Sequence, residues 1–211
     1  MLGAWSDRLA RAEGPSGLLY QLGLRLRGID VGPTPLSTLG LTSDRANPHG
    51  NSGGPSLARL MRGLPVPPGS RLVDLGSGKA GAILTLARFG FEEIVGVELS
   101  PELIRIGEAN MRRAGLERVT FVHADAAGFA DLDRFTHVYM YHPFPCAVVE
   151  RVVANLGASL ARHERRLTVI YANPVCHRVL ADSGLFRVEL ESVRYHPRAH
   201  ARHTYSVYVH S

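Results

Sequence analysis

The chain has 211 residues, of which 45% are hydrophobic and 20% charged, and its formal net charge is +5. This length fits one globular domain with a core large enough to fold without disulfides or a structural metal. No apolar stretch is long enough to span a bilayer, and the N-terminus lacks the order of a secretion signal. A cytoplasmic protein is therefore expected, with no membrane as partner.

The basic charge is only weak evidence for nucleic-acid binding. Lys79 is the only lysine among 24 basic side chains, and the arginines are scattered along the chain. Arginine codons are GC-rich, so this bias is typical of a GC-rich bacterial genome and does not require phosphate contacts. We expect no nucleic acid as partner.

The two cysteines are Cys146 and Cys176. Two cysteines make no disulfide framework, and single cysteines usually pack as small core residues. This interpretation predicts that both are free, and it favours a reducing compartment.

The N-terminal part of the chain precedes the predicted sheet. Residues 1–28 are mildly amphipathic and predicted to be helical, whereas residues 30–55 are rich in Pro, Gly, Ser and Asn. A structureless stretch of that length is typical of a lid over a binding site. The predicted division is a helical segment with a lid loop, residues 1–55, followed by the main domain, residues 56–211.

From residue 71 onward, short β-rich apolar runs alternate with segments of helical period, which is typical of a parallel sheet covered by helices. The predicted strands are residues 71–74, 93–98, 119–123, 137–141, 167–171, 186–193 and 204–210. The predicted helices are residues 56–63, 81–89, 101–114, 127–132 and 147–162. A short loop joins the last two strands, so they are predicted to pair antiparallel. The predicted fold class is α/β, a Rossmann-like seven-stranded mixed sheet with helices on both faces and an antiparallel C-terminal hairpin.

The strongest local signal is a glycine-rich segment that ends the first strand, Val73-Asp74-Leu75-Gly76-Ser77-Gly78-Lys79-Ala80-Gly81. Its glycines allow a tight turn and a close approach of the backbone to a ligand, although the pattern also fits a plain strand-to-helix turn. Two further acids, Glu98 and Asp125, lie at the ends of the second and third strands. The carboxyl ends of parallel strands meet at one edge of a sheet, so Asp74, Glu98 and Asp125 are predicted to face one crevice.

With these residues the sequence, from residue 71 onward, resembles the class I S-adenosylmethionine-dependent methyltransferases, whose first motif is acidic-x-Gly-x-Gly-x-Gly. The resemblance implies S-adenosyl-L-methionine as cofactor. It implies that Asp74 orients the methionine amino group, that Glu98 binds the ribose and that Asp125 holds the adenine edge. The full set of implied cofactor-binding residues is Asp74, Gly76, Ser77, Gly78, Glu98, Leu99, Asp125, Ala126 and Tyr141.

The motif departs from the family pattern at its third glycine, where this chain has Ala80 followed by Gly81. Gly76, Gly78 and Gly81 together also satisfy the Gly-x-Gly-x-x-Gly spacing that a pyrophosphate requires. A dinucleotide therefore remains the alternative cofactor.

The end of the fourth strand reads Tyr141-His142-Pro143-Phe144. It resembles bacterial methyltransferases with Tyr-Asn-Pro-Phe at this point, a pattern shared with the non-SET histone lysine methyltransferases, where the Asn grips an amine. Here His142 replaces that Asn, so His142 is the predicted catalytic residue, either as general base or as an orienter of the acceptor. Tyr141 and Phe144 are predicted to form apolar walls beside it, and all three are the predicted substrate-binding residues.

The N-terminal region adds four candidates. Tyr20 and His49 are further catalytic candidates that could enter the acceptor pocket. Ser52 and Ser56 could bind the methionine carboxylate at a helix N-terminus, or Ser56 could simply cap that helix.

The predicted function is methyl transfer to a small-molecule acceptor, an aromatic or indole-like product of bacterial secondary metabolism, at carbon or nitrogen. The alternatives are a protein or peptide lysine methyltransferase and a catalytically silent cofactor-binding module. No metal is expected, because His196, His200 and His203 fall in a predicted loop. The sequence leaves the oligomeric state open, with a homodimer as one expectation.

Overall fold

Seven strands form a single mixed sheet in the computed structural model, which describes residues 15–39, 50–142, 144–195 and 204–211. His49, Pro143, His196, His200 and His203 lie outside the described residues, and so do the predictions made for them. No helix in the described part of the chain is both long and apolar enough to cross a membrane.

The sheet has the order β3-β2-β1-β4-β5-β7-β6. β1 to β5 are parallel, β7 runs antiparallel beside β5, and β6 pairs antiparallel with β7. The strands are β1 (Arg71–Leu75), β2 (Glu93–Glu98), β3 (Val119–His123), β4 (His137–Tyr141), β5 (Leu167–Ala172), β6 (Arg187–Arg194) and β7 (Thr204–His210). The predicted fold class, including the antiparallel C-terminal pair, is confirmed.

The described part of the chain contains seven helices. They are α1 (Pro15–Leu26), α2 (Leu36–Leu39), α3 (Pro55–Arg62), α4 (Ile83–Leu86), α5 (Pro101–Ala114), α6 (Cys146–Arg162) and α7 (His177–Ala181). The bounds of α5 are set by local chemistry. The Ser100 hydroxyl accepts a hydrogen bond from Leu103 N at 3.3 Å, and Gly115 ends the helix with a left-handed φ of 70°.

Two apolar cores flank the sheet. One contains residues of α6 and the side chains of β1, β4 and β5 that point to that face, such as Val138 and Tyr171. The other contains α3 and α4 with the opposite face, including Tyr139 and Tyr205. Successive side chains along β1, β4 and β5 point alternately into the two cores. These three strands are therefore buried on both faces.

Two helix predictions are wrong. Residues 127–132 form turns and no helix, because the Asp125 side chain accepts a hydrogen bond from Ala127 N at 2.9 Å and stabilises a tight local turn. The helix predicted over residues 81–89 is reduced to α4, since residues 76–82 form the loop and turn that follow β1.

The prediction of two free cysteines is also wrong. Cys146 and Cys176 form a disulfide, with their Cα atoms 5.5 Å apart. Cys146 begins α6, shortly after β4, and Cys176 precedes α7, shortly after β5. β4 and β5 are parallel neighbours, so the two loops lie at the same edge of the sheet and the thiols meet. The disulfide removes the argument for a reducing compartment.

Candidate functional site

The loop after β1 has the backbone geometry that its glycines allow. Gly76 and Gly78 have φ of 81° and 54°, and Ala80 also has a left-handed φ of 64°. Ala80 stands where the family motif has its third glycine, so the structure shows why glycine suits that position. Backbone N–H groups of Gly76 and Ser77 both donate to Val97 O, at 2.8 and 3.1 Å, which fastens the loop to β2.

The Asp74 carboxyl is buried near the end of β1, just before this loop. Its residue is 2% exposed, and no described residue donates a hydrogen bond to it. Burial, and secondarily the charge of Glu98, raises its pKa well above the ordinary value. A cation held beside Asp74 would offset that burial, so the position fits an ammonium group of a ligand.

Replacing Asp74 by asparagine is expected to flatten the pH dependence of stability. The folded state binds the Asp74 proton more tightly than the unfolded chain does. The free energy of unfolding therefore falls as the pH rises from the unfolded pKa, about 4, through the raised folded pKa. Urea unfolding of the cofactor-free protein, between about pH 5 and pH 8, should show a shallower slope for Asp74→Asn. Part of the slope remains, because burial also raises the pKa of Glu98.

Asp182→Asn is the matched control, since Asp182 is exposed at the end of α7. The free energy of unfolding of Asp182→Asn should change with pH as steeply as that of the wild type. If the free energy of unfolding changed with pH equally in Asp74→Asn and in the wild type, burial would not raise the pKa of Asp74.

Glu98 links the loop that follows β1 to the residue before α5. Its Oε2 accepts from Gly78 N at 2.8 Å, and its Oε1 accepts from Ser100 N at 2.9 Å. Burial raises its pKa, and the backbone hydrogen bonds from Ser100 and Gly78 oppose that shift. Each carboxylate oxygen has a second lone pair, so the group can still accept from hydroxyls of a ligand.

The remaining predicted cofactor residues lie near the ends of β1 to β4. Asp125 and Leu99 are half-buried, and Ala126 is buried. Ser77 is 6% exposed, and its Oγ lies 2.7 Å from the place that a Cβ on Gly96 would occupy. The Ser77 hydroxyl is therefore packed against β2, so any cofactor contact we expect from Ser77 involves its backbone.

The end of β4 carries a strained backbone. His142 has a left-handed φ of 35°, which is uncommon for a residue other than glycine and is concentrated at functional sites. Tyr141 and His142 are half-buried, whereas Phe144 is 7% exposed and belongs to the core on the α6 side. A contact of the Phe144 ring with an acceptor stays a prediction.

Tyr139 is a residue that the sequence analysis missed. It pairs with Asp74 across β4 and β1 and is fully buried, with the Ser52 side chain near its hydroxyl. Burial raises its pKa well above the ordinary value, with a smaller contribution from the nearby Tyr205. The signal was available: Tyr139 and Tyr141 point to the same face of β4, because side chains alternate along a strand.

Residues 50–54, which we call the strap, lie across the loop that follows β1. A Cβ on Gly81 would lie 2.1 Å from Asn51 Oδ1, so Gly81 leaves the space that the Asn51 side chain occupies. Gly54 N donates to Thr85 Oγ1 at 3.0 Å, and a Cβ on Gly50 would lie 3.6 Å from the Tyr141 ring. The strap thus reaches from α4 to the end of β4.

Tyr20 lies at the strap. Its hydroxyl is 3.5 Å from Thr85 Oγ1, and its ring lies 3.6 Å from the place of a Cβ on Gly54. Ser52 and Ser56, in the strap and the first turn of α3, are buried. The catalytic role of Tyr20 and the carboxylate-binding role of the two serines stay predictions.

The substitution Gly53→Ala is expected to destabilise the seated strap. A Cβ at Gly53 would lie 2.0 Å from Gly81 O and 2.7 Å from Gly81 C, and both atoms are backbone. Relieving such a clash typically costs about 1 to 3 kcal/mol. Urea unfolding should show that loss, and limited proteolysis should cut residues 50–54 faster.

Gly23→Ala is its control, because a Cβ there meets nothing within 4 Å inside α1. Alanine favours a helix interior over glycine, so its unfolding free energy should stay or rise. Wild-type stability in Gly53→Ala would mean that the strap is not seated on Gly81.

A second connection joins the N-terminal region to the glycine-rich loop. Lys79 Nζ lies 2.8 Å from Asp30 Oδ2, and the Lys79 side chain is only 6% exposed. Asn110, on α5, donates to both Asp30 O and Lys79 O, at 2.6 and 2.9 Å. The start of the predicted lid is therefore anchored to α5 and to the loop. Among the described residues, no group of His, Cys, Asp or Glu has the arrangement of a metal site.

Comparisons with known proteins place this site in context. Residues 72–163 match a family described as a methyltransferase domain. The 23S rRNA (uracil(1939)-C(5))-methyltransferase RlmD of Shewanella sediminis (strain HAW-EB3) is 38% identical over 73 residues, 35% of this chain and 16% of that protein. The EEF1A lysine methyltransferase 2 of Homo sapiens is 30% identical over 63 residues, 30% of this chain and 27% of that protein. This chain therefore spans well under two thirds of the length of these relatives.

Solved structures share the fold. The S-adenosylmethionine-dependent methyltransferase from Geobacter sulfurreducens, in complex with S-adenosyl-L-homocysteine, matches with a TM-score of 0.51 and 24% identity, over 68% of each chain.

Proposed function

We propose that this chain, in which residues 72–163 match a methyltransferase domain, transfers the methyl group of S-adenosylmethionine to a small-molecule acceptor. The acceptor we propose is an aromatic or indole-like product of bacterial secondary metabolism, methylated in the cytoplasm.

The residues at the carboxyl edge of the sheet fit this cofactor. Asp74 is a buried carboxylate without a donor among the described residues, and it would hold the methionine ammonium. Glu98 would accept hydrogen bonds from the ribose hydroxyls with the second lone pairs of its oxygens. Asp125 and Ala126 would border the adenine, and the buried hydroxyl of Tyr139 would donate to the methionine carboxylate.

When bound, the cofactor supplies an activated methyl group on a sulfonium. The protein then has to hold the acceptor in line with that group and to exclude water. His142 lies at the end of β4, where its imidazole would hold the acceptor by a hydrogen bond or take its proton. Tyr141 beside it would form an apolar wall.

The observation that carries the small-molecule proposal is the strap. Residues 50–54 contact α4 and reach Tyr141, so this chain itself covers part of the acceptor edge. A covered edge suits an acceptor that is enclosed on binding, whereas a large RNA or protein needs an open approach.

A lysine side chain of a protein is the second candidate acceptor. It is favoured by the similarity to the EEF1A lysine methyltransferase 2 and by the Tyr-x-Pro-Phe pattern at residues 141–144. The same similarity covers only 30% of this chain, and His142 replaces the Asn of the amine-directed pattern.

One labelling experiment tests the proposal. The purified protein is incubated with methyl-labelled S-adenosylmethionine and a bacterial extract that is separated afterwards into small-molecule, protein and RNA fractions. Protein-dependent label is expected in the small-molecule fraction. Label confined to protein supports the lysine alternative, and label confined to RNA refutes both. Cofactor binding without any transfer would identify a catalytically silent module.

A further inference from the structure

The buried hydroxyl of Tyr171 lies between two polar groups at the acceptor edge. Tyr171 is on β5, next to β4, and it is 0% exposed. Its oxygen lies 3.4 Å from the backbone N of Cys176 and 3.5 Å from His142 Nδ1. The disulfide between Cys146 and Cys176 fastens the segment that supplies the first of these contacts.

The direction of both hydrogen bonds follows from what each group can do. The Cys176 N–H can only donate, so the Tyr171 oxygen accepts there. Burial raises the pKa of Tyr171, so the phenol keeps its hydrogen at neutral pH. That hydrogen needs an acceptor, because a buried O–H without one is costly, and His142 Nδ1 is within reach.

We propose that Tyr171 is a positioning residue for His142, donating its hydroxyl hydrogen to Nδ1 and thereby keeping the imidazole proton on Nε2. A ring nitrogen accepts a hydrogen bond only when it carries no proton, so the neutral ring is the Nε2–H tautomer. His142 presents this ring from the end of β4, where its backbone is left-handed.

The tautomer decides the role of His142, and this step rests on the proposed function, which places His142 against the acceptor. Neutral His142 offers an N–H at Nε2 and no free lone pair, so it orients the acceptor and does not take its proton. Such a donor fits an acceptor that carries an oxygen lone pair beside the methylated atom, as in a phenolate or an enolate. It does not fit an acceptor held through an indole N–H.

Nitrogen-15 NMR of histidine-labelled protein, at a pH where the ring is neutral, tests the tautomer without turnover. His142→Asn identifies the signals of His142 by their loss. The wild type should show His142 with its proton on Nε2, and Tyr171→Phe should lose that preference. Tyr208→Phe is the matched control: Tyr208 is also 0% exposed and in the same core, but its hydroxyl bonds to His177 Nδ1 at 2.7 Å.

His142 with its proton on Nδ1 in the wild type would overturn the proposal, and so would an unchanged tautomer in Tyr171→Phe. Once a small-molecule acceptor has been identified, kcat can be measured with it. Tyr171→Phe should then lower kcat about tenfold with unchanged affinity for S-adenosylhomocysteine, and Tyr208→Phe should keep the wild-type kcat. An unchanged kcat in Tyr171→Phe also refutes the positioning role. Absence of any small-molecule transfer contradicts the proposed function alone, because the tautomer is measured independently of it.

Discussion

His142→Ala is expected to lower the rate of methyl transfer about a hundredfold while leaving the affinity for S-adenosylhomocysteine nearly intact. His142 lies at the end of β4 with a left-handed backbone, where we propose that the acceptor binds. Losing one well-placed hydrogen-bonding group at the reacting centre typically costs a factor of this size. Single-turnover kinetics with the labelled cofactor, together with calorimetric titration of S-adenosylhomocysteine, measures both quantities.

His142→Asn separates the two roles that the sequence leaves open. Asparagine keeps a hydrogen-bond donor but does not titrate near neutrality. Near-normal rate and an unchanged pH profile identify His142 as an orienter, in agreement with the tautomer inferred above. A hundredfold loss in both variants would indicate a base, and a loss of cofactor affinity would place His142 against the adenosine.

Glu98→Ala is expected to weaken binding of S-adenosylhomocysteine by at least tenfold. Two charge-assisted hydrogen bonds to the ribose would be lost, each worth about 1.5 to 3 kcal/mol. The variant also removes the acceptor of Gly78 N and Ser100 N, so the glycine-rich loop loses a contact with the start of α5. Calorimetric titration gives the dissociation constant.

Glu108→Ala is the matched control for Glu98→Ala. Glu108 is exposed on α5, away from the carboxyl edge of β2 where Glu98 lies. Its dissociation constant should equal that of the wild type. An unchanged constant in Glu98→Ala would show that Glu98 does not contact the ribose.

The sheet was predictable because its signals are local. The sequence predicts β2, β3, β4 and β7 with the bounds that the structure shows, since each is a short apolar run between clear breaks. The predicted helix over residues 127–132 fails because its apolar residues fill a turn that the Asp125 side chain stabilises. Short helical patterns are outweighed by such side-chain hydrogen bonds.

The positions of Asp74 and Glu98 near the carboxyl ends of β1 and β2 could be predicted from the strand pattern, whereas their cofactor roles stay predictions. The disulfide and Tyr171 depend instead on the order of the strands, which brings the ends of β4 and β5 together. No spacing along the chain shows that Cys176 lies beside Cys146 or that Tyr171 reaches His142. The same holds for Gly81, whose role as the seat of Asn51 requires the strap to be in place.

A crystal structure of the protein with S-adenosylhomocysteine would locate the cofactor relative to Asp74, Glu98 and His142. We expect the ribose hydroxyls on Glu98, the amino group on Asp74, and the sulfur facing the end of β4 at His142. A ribose bound away from Glu98, or a sulfur that faces away from His142, would contradict the account.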